Sequence, residues 1–294
     1  MACGNPSGSF SNNPAEGYRI PYPTKNHPKP CIQKKGHSLM TKGRITRREQ
    51  EYRISALLRF IFIFRFATRE QLYEFAQKML ELTYPRWLVD YSTKRNFITS
   101  YQEPNLGLKV YYLTQRGQGF IHRYEPFSNC YYFNHRHTGF NTFEHQKAVI
   151  ESYYILYEQF AIKEWMPEWV IRKKFRLKSK IPDGLIVLNS GMKIALEVET
   201  WYKQRGEWKV VVYKYKHEMP RYDAVLIIAY SSSNYEGIRD RLFYILPEFS
   251  VKLFILTDLA LLKQGQCFYH GKLRQLGEAI SLISQQFSDQ QSKG

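Results

Sequence analysis

The chain has 294 residues, of which 44% are hydrophobic and 16% aromatic, and 43 Lys and Arg against 26 Asp and Glu leave a net charge of +17. That length and apolar content suffice for one large domain or two ordinary ones. The charge excess points to a polyanionic partner, nucleic acid ahead of a membrane surface. No apolar run reaches about 18 residues, and the most apolar stretch, Ile54 to Phe66, is broken by Arg59 and Arg65, so no membrane insertion is expected. The beginning of the chain lacks the compact apolar region of a signal peptide. The four cysteines, Cys3, Cys31, Cys130 and Cys267, form no CxxC pair. Neither a zinc ribbon nor a disulfide framework is therefore indicated, and a cytoplasmic location fits.

Residues 1–44 are rich in Pro, Gly, Asn and Ser and hold a single acid, Glu16. Such a segment buries too little apolar surface to offset its ordering entropy, and a disordered basic arm is expected. Residues 45–125 change character. Glu51 to Phe64 places Ile54, Leu57, Leu58, Ile61 and Phe62 at helical spacing. Thr68-Arg69-Glu70-Gln71 has the form of a capping box opening a second helix with Leu72, Phe75 and Met79 inward. A third helix, Arg86 to Arg95, turns Trp87, Leu88 and Tyr91 inward and offers Arg86, Lys94 and Arg95 on its other side. Phe97 to Tyr101 and Lys109 to Leu113 flank a turn containing Pro104, Asn105 and Gly107 and read as a β-wing. Three helices and a wing predict a winged helix-turn-helix, with Arg86, Lys94, Arg95 and Lys109 as its DNA contacts. The alternative is that this unit packs against the second one or a partner protein.

A Tyr- and His-rich connector, residues 126–140, carries His135-Arg136-His137, read as a solvated loop rather than a metal chelate. The second unit, residues 141–287, opens with a helix from Phe143 to Ile162 that carries Glu144, His145 and Glu151. A strand is expected around Trp169 to Leu177. Helices are then expected at Glu207 to Met219 and Asn234 to Leu246. Buried strands are expected at Asp223 to Tyr230 and Val251 to Thr257, with a helical segment after Asp258 and a frayed tail over residues 288–294. The order helix, three strands, helix, strand, helix, strand predicts an α/β sheet covered on both faces.

Between those elements lies the stretch Ile181 to Lys203, which reads as a β-hairpin turning at Asn189-Ser190-Gly191. With Leu188 facing Met192, backward pairing sets Asp183 opposite Glu197, and Glu199 shares the face of Glu197. Met192, Ile194, Leu196 and Val198 form the opposite, core face. Three carboxylates gathered at one end of an apolar hairpin repel one another unless a cation neutralises them, and oxygen ligands of this kind suit Mg²⁺ or Mn²⁺. For each acid alone, the alternative is a solvated strand end.

The Pro-Asp opening one strand, the Glu-x-Glu about fourteen residues on and the basic residues after it resemble the PD-(D/E)XK nuclease superfamily. With a winged helix before an αβββαβ domain and His145 on its first helix, residues 45 to 285 resemble the MobC-type relaxases of mobilisable plasmids and the related replication-relaxation proteins. The resemblance implies a restriction-endonuclease-like fold and a bacterial, site-specific nicking endonuclease acting on double-stranded DNA at a plasmid transfer origin. It also implies a divalent metal, an accessory mobilisation protein and a coupling protein. On this resemblance Asp183 and Glu197 bind the metal. Glu199 stands where Lys is usual, and Lys203 or, second to it, Lys209 is the assisting cation. Glu144, His145 and Glu151 are candidates for support behind the metal ligands. The rival is a non-catalytic DNA-binding replication or regulatory protein with an inactive nuclease fold. Nothing in the sequence singles out a nucleophilic tyrosine among the 23 present.

Overall fold

A computed structural model describes residues 45–104, 107–123, 133, 140–175, 181–201, 203–218, 222–245 and 254–291. The arm over residues 1–44 and the His135-Arg136-His137 triplet lie outside the described residues. Among those described, the chain forms ten helices and two sheets of a mixed α/β protein.

The first unit runs α1 (Arg47–Phe64), β1 (Phe66–Thr68), α2 (Arg69–Leu80), α3 (Arg86–Lys94), β2 (Ile98–Glu103), β3 (Leu108–Leu113) and α4 (Gln115–His122). Both halves of the capping box at Thr68 and Gln71 are formed. The short β1 and the helix α4 were not expected. β1 pairs with β3 to give a three-stranded sheet of order β1-β3-β2, so the β2–β3 hairpin is anchored to the helices rather than free.

The second unit begins with α5 (Phe140–Gln159), followed by β4 (Ile162–Pro167) and α6 (Glu168–Phe175). This corrects two expectations. The opening helix ends before Ile162, and the segment from Trp169 on is helical, not extended. Glu168 starts that helix and pairs with Arg172 one turn on at 2.6 Å, while Val170 and Ile171 are buried on its inner side. Next come β5 (Gly184–Leu188), β6 (Lys193–Glu199), α7 (Arg205–Glu218), β7 (Ala224–Ala229), α8 (Ser232–Ile245) and β8 (Phe254–Asp258). The end of the chain departs again. After α9 (Leu259–Lys263), a hairpin of β9 (Gln266–Tyr269) and β10 (Lys272–Gln275) precedes α10, which runs from Leu276 to Gln291, through the stretch expected to fray at 288.

The seven strands form one sheet of order β10-β9-β8-β7-β6-β5-β4, with β6, β7 and β8 parallel at its centre. Alternation splits each central strand between two cores. Leu196, Val198, Leu226 and Ile228 face α5, α9 and α10, while Ala195, Val225, Ile227 and Ala229 face α6, α7 and α8. β7 is buried along its whole length, as a strand covered on both faces must be.

The two units share one core. Phe60 of α1 stacks on Tyr154 of α5 at 5.8 Å, and Phe62 meets Trp169 edge-on at 5.1 Å. The Trp169 indole N–H donates to Ile63 O at 3.0 Å, and the Tyr154 hydroxyl to Gln71 O at 2.7 Å. No described helix is long and apolar enough to cross a membrane.

Gly184 sets the position of the acidic hairpin. A Cβ there would lie 2.8 Å from Cζ2 of Trp165. That indole is fully buried and wedged against Tyr153 and Phe64, so it has nowhere to move. Gly184→Ala is expected to lower stability by about 1–3 kcal/mol, the cost of an overpacked core, and urea denaturation of the two proteins measures it.

Candidate functional site

The hairpin register is Gly184↔Leu196, Leu185↔Ala195, Ile186↔Ile194 and Val187↔Lys193. Gly191 closes the turn at φ 89°, a conformation open to glycine, and Leu188 N–H donates to Met192 O at 2.9 Å. Carried one residue past Gly184, this register sets Asp183 across from Glu197, and carried two it sets Pro182 across from Val198. Proline has no N–H, so the ladder cannot continue. The Asp183 N–H bonds Leu196 O at 2.9 Å instead, and the side chain takes over from the backbone: Asp183 Oδ2 accepts the Val198 N–H at 2.8 Å. The Val198 carbonyl is met by Nε2 of His145, on α5, at 3.1 Å, and the same nitrogen lies 3.2 Å from Asp183 Oδ2.

Glu197 and Glu199 follow on β6 and are buried, at 0% and 4% exposure. Glu197 Oε1 accepts the hydroxyl of Tyr215 on α7, and Glu199 Oε1 accepts the ammonium of Lys203. The Lys203 ammonium also lies 5.4 Å from the centroid of the Trp208 ring. Burial first, and the Glu197 charge second, hold the Tyr215 hydroxyl well above its usual range, so it remains a donor. Burial opposes protonation of His145, yet Asp183 first, and then Glu199 and Glu197, raise its pKa overall. All three hairpin acids therefore act on one imidazole. Buried carboxylates require such partners, because leaving one uncompensated costs several kcal/mol, about 3–5 in typical proteins.

His145 thus meets Asp183, Tyr215 meets Glu197 and Lys203 meets Glu199, and Glu144 lies half-buried beside His145 on α5. Glu151 does not join them: it pairs with Lys263 of α9 at 3.2 Å. Six residues along a helix turn a side chain about 120° from the starting face, which carries Glu151 away from His145. Lys209 stands on the exposed side of α7, beside the buried Trp208, so Lys203 is the lysine at the acids. Tyr215 was missed because it continues the apolar stripe of α7; the signal was there, since a buried tyrosine hydroxyl seeks a partner.

Among the described residues no group of three His, Cys, Asp or Glu side chains is disposed to hold a metal ion. The donor chemistry still fits Mg²⁺ or Mn²⁺, because such ions are commonly held by one or two carboxylates with waters and a phosphate completing the shell. Asp183 and Glu197 are the pair of that kind.

In the first unit Arg86, Lys94, Arg95 and Lys109 are exposed. Arg86 pairs with Asp90 at 3.3 Å, and the Arg95 guanidinium lies 5.3 Å from the Tyr91 ring centroid. Lys109 and Arg69 both approach Tyr111, and Arg69 Nε donates to its hydroxyl at 3.1 Å. Arg69 is a basic group on this surface that the sequence reading did not select.

Comparison with protein-family models, curated proteins and solved structures finds no match.

A folded-state pKa above the unfolded one means that the His145 contact contributes fully below about pH 6.5 and is lost as pH rises through the raised folded value. The stability difference between the wild type and His145→Ala is therefore expected to shrink on going from about pH 6 to pH 9. Urea titrations at stepped pH measure this, and a difference constant with pH would refute it.

Proposed function

We propose that this chain is a metal-dependent nicking endonuclease of the plasmid-relaxase type, acting on double-stranded DNA. The observation that carries the reading is the hairpin end where Asp183 lies across from Glu197, with Glu199 and its bonded Lys203 next along the chain. Two arrangements support it. The order α1-β1-α2-α3-β2-β3 is compatible with reading the first unit as a winged helix-turn-helix. The order α5-β4-β5-β6-α7-β7, with α6 inserted after β4, is compatible with reading the second as a restriction-endonuclease-like αβββαβ domain. The net charge of +17 suits a phosphate backbone.

In this reading Asp183 and Glu197 hold Mg²⁺ or Mn²⁺, which when bound supplies an activated water and positive charge at the scissile phosphate. Tyr215 fixes Glu197 through its hydroxyl, and His145 with the Val198 N–H fixes Asp183. Lys203, steered by Glu199, sets a cation where negative charge develops on the phosphate oxygens. Arg86, Lys94, Arg95 and Lys109 meet the DNA backbone from the first unit, while accessory and coupling proteins would act on the nicked complex.

One observation favours a second reading. Each hairpin carboxylate already bonds a neighbour within the chain, as a purely structural polar network would, and this suits a DNA-binding replication or regulatory protein with an inactive nuclease fold.

Supercoiled plasmid carrying a transfer origin, incubated with Mg²⁺ or Mn²⁺, separates the two. The wild type is expected to yield open circles, Asp183→Asn and Glu197→Gln to lose about a hundredfold or more of that rate, and Glu151→Gln to match the wild type. Open circles from wild type and Asp183→Asn alike, or from neither, would sink the nuclease reading. For the first unit, Arg95→Ala is expected to weaken duplex binding and reduce the slope of log affinity against log salt by about one. An unchanged slope in fluorescence-anisotropy titrations removes Arg95 from the DNA contacts.

A further inference from the structure

Glu199 and Lys203, four residues apart, form an ion pair, and between them in sequence Trp201 is 51% exposed. The backbone at Thr200 and from Lys203 on is anchored. Thr200 O accepts from Asn234 Nδ2 at 3.2 Å, Lys203 O accepts from the Arg241 guanidinium, and Gln204 N–H donates to Glu207 at 2.6 Å. Trp201 thus leaves a large indole half exposed next to anchored backbone, so that ordering it against a ligand costs little.

The location indicates what that face meets. Two residues span at most about 7 Å of backbone, so Trp201 stands about one nucleotide along the chain from Glu199, whose carboxylate is buried. Exposed Arg205 and Lys209 follow on α7, and the charge of the whole chain is +17. An aromatic ring beside basic groups binds nucleic acid by stacking on a base, and it does so on a base whose face is open, not one enclosed in a duplex.

We infer that Trp201 is a stacking platform for an unpaired nucleobase next to the phosphate at the Asp183–Glu197–Glu199 site, so that the ligand of this corner is a locally opened DNA strand. The inference rests on the reading that those carboxylates meet a DNA phosphate. Asn234 and Arg241 act as positioning residues through their bonds to Thr200 O and Lys203 O.

The test uses the full chain in EDTA, which prevents cleavage, and a single-stranded oligonucleotide carrying 2-aminopurine, whose fluorescence is quenched on stacking. Trp201→Ala is expected to lose about tenfold in affinity for the single strand together with the quench, with duplex affinity unchanged. Trp201→Phe, which retains a ring, is expected to keep most of both, and this guards against a mere folding defect. Single-strand affinity and quench in Trp201→Ala equal to the wild type would overturn the platform. Equal losses in Trp201→Ala and Trp201→Phe would overturn it as well. If Trp201→Ala loses the single strand while the wild type leaves supercoiled DNA intact with Mg²⁺, the platform stands and the nicking reading falls. If nicking requires Asp183 yet Trp201→Ala binds the strand normally, nicking stands and the platform falls.

Discussion

The β5–β6 ladder stops where Pro182 comes opposite Val198, and most features of the candidate site follow from that interruption. Both backbone groups of Val198 lose their strand partner at a buried position, where an unmade hydrogen bond costs about 1–3 kcal/mol. A carboxylate and an imidazole replace the missing strand. Asp183 is thereby held against the sheet by its neighbour's N–H, and His145 is held against Asp183 by the carbonyl of the same residue. Asp183 is consequently fixed by backbone geometry, whereas Glu197 is held by the Tyr215 hydroxyl and Glu199 by the Lys203 ammonium.

The helix that supplies His145 is also the helix on which the first unit rests. α5 packs Tyr153 and Tyr154 against Phe60 and Phe64 of α1, and its backbone accepts the Gln71 amide from α2 at Lys147. With Trp169 bonded to Ile63, the basic surface of α3 and β3 and the acidic corner of β6 belong to one continuous core. In the proposed nuclease this arrangement gives bound DNA a fixed distance between the surface that grips it and the corner that cuts it.

Several elements could be read from the chain because their causes are local. The capping box at Thr68, the Asn-Ser-Gly turn and the unbroken apolar run of β7 each carry their own geometry, and once Leu188 faces Met192 the β5–β6 register follows. The errors arose where tertiary packing outweighed pattern. Trp169, Val170 and Ile171 form an apolar run that suits a strand, but with β4 already on the sheet edge they cover the outer face of that sheet as a helix. The β9–β10 hairpin was hidden because it pairs weakly patterned residues on an edge, where alternation need not be strict.

The sequence by itself determined which residues could turn, cap and alternate, and so it determined that Asp183, Glu197 and Glu199 gather at one end of a hairpin. Only the tertiary structure decided their partners. Tyr215 and His145 reach the acids from helices whose approach no spacing encodes, whereas Lys203 reaches Glu199 from four residues along the chain, and Glu151 is drawn instead to Lys263. The physical reason is that periodicity fixes a side chain's face, whereas the identity of the group facing it depends on how separate elements pack.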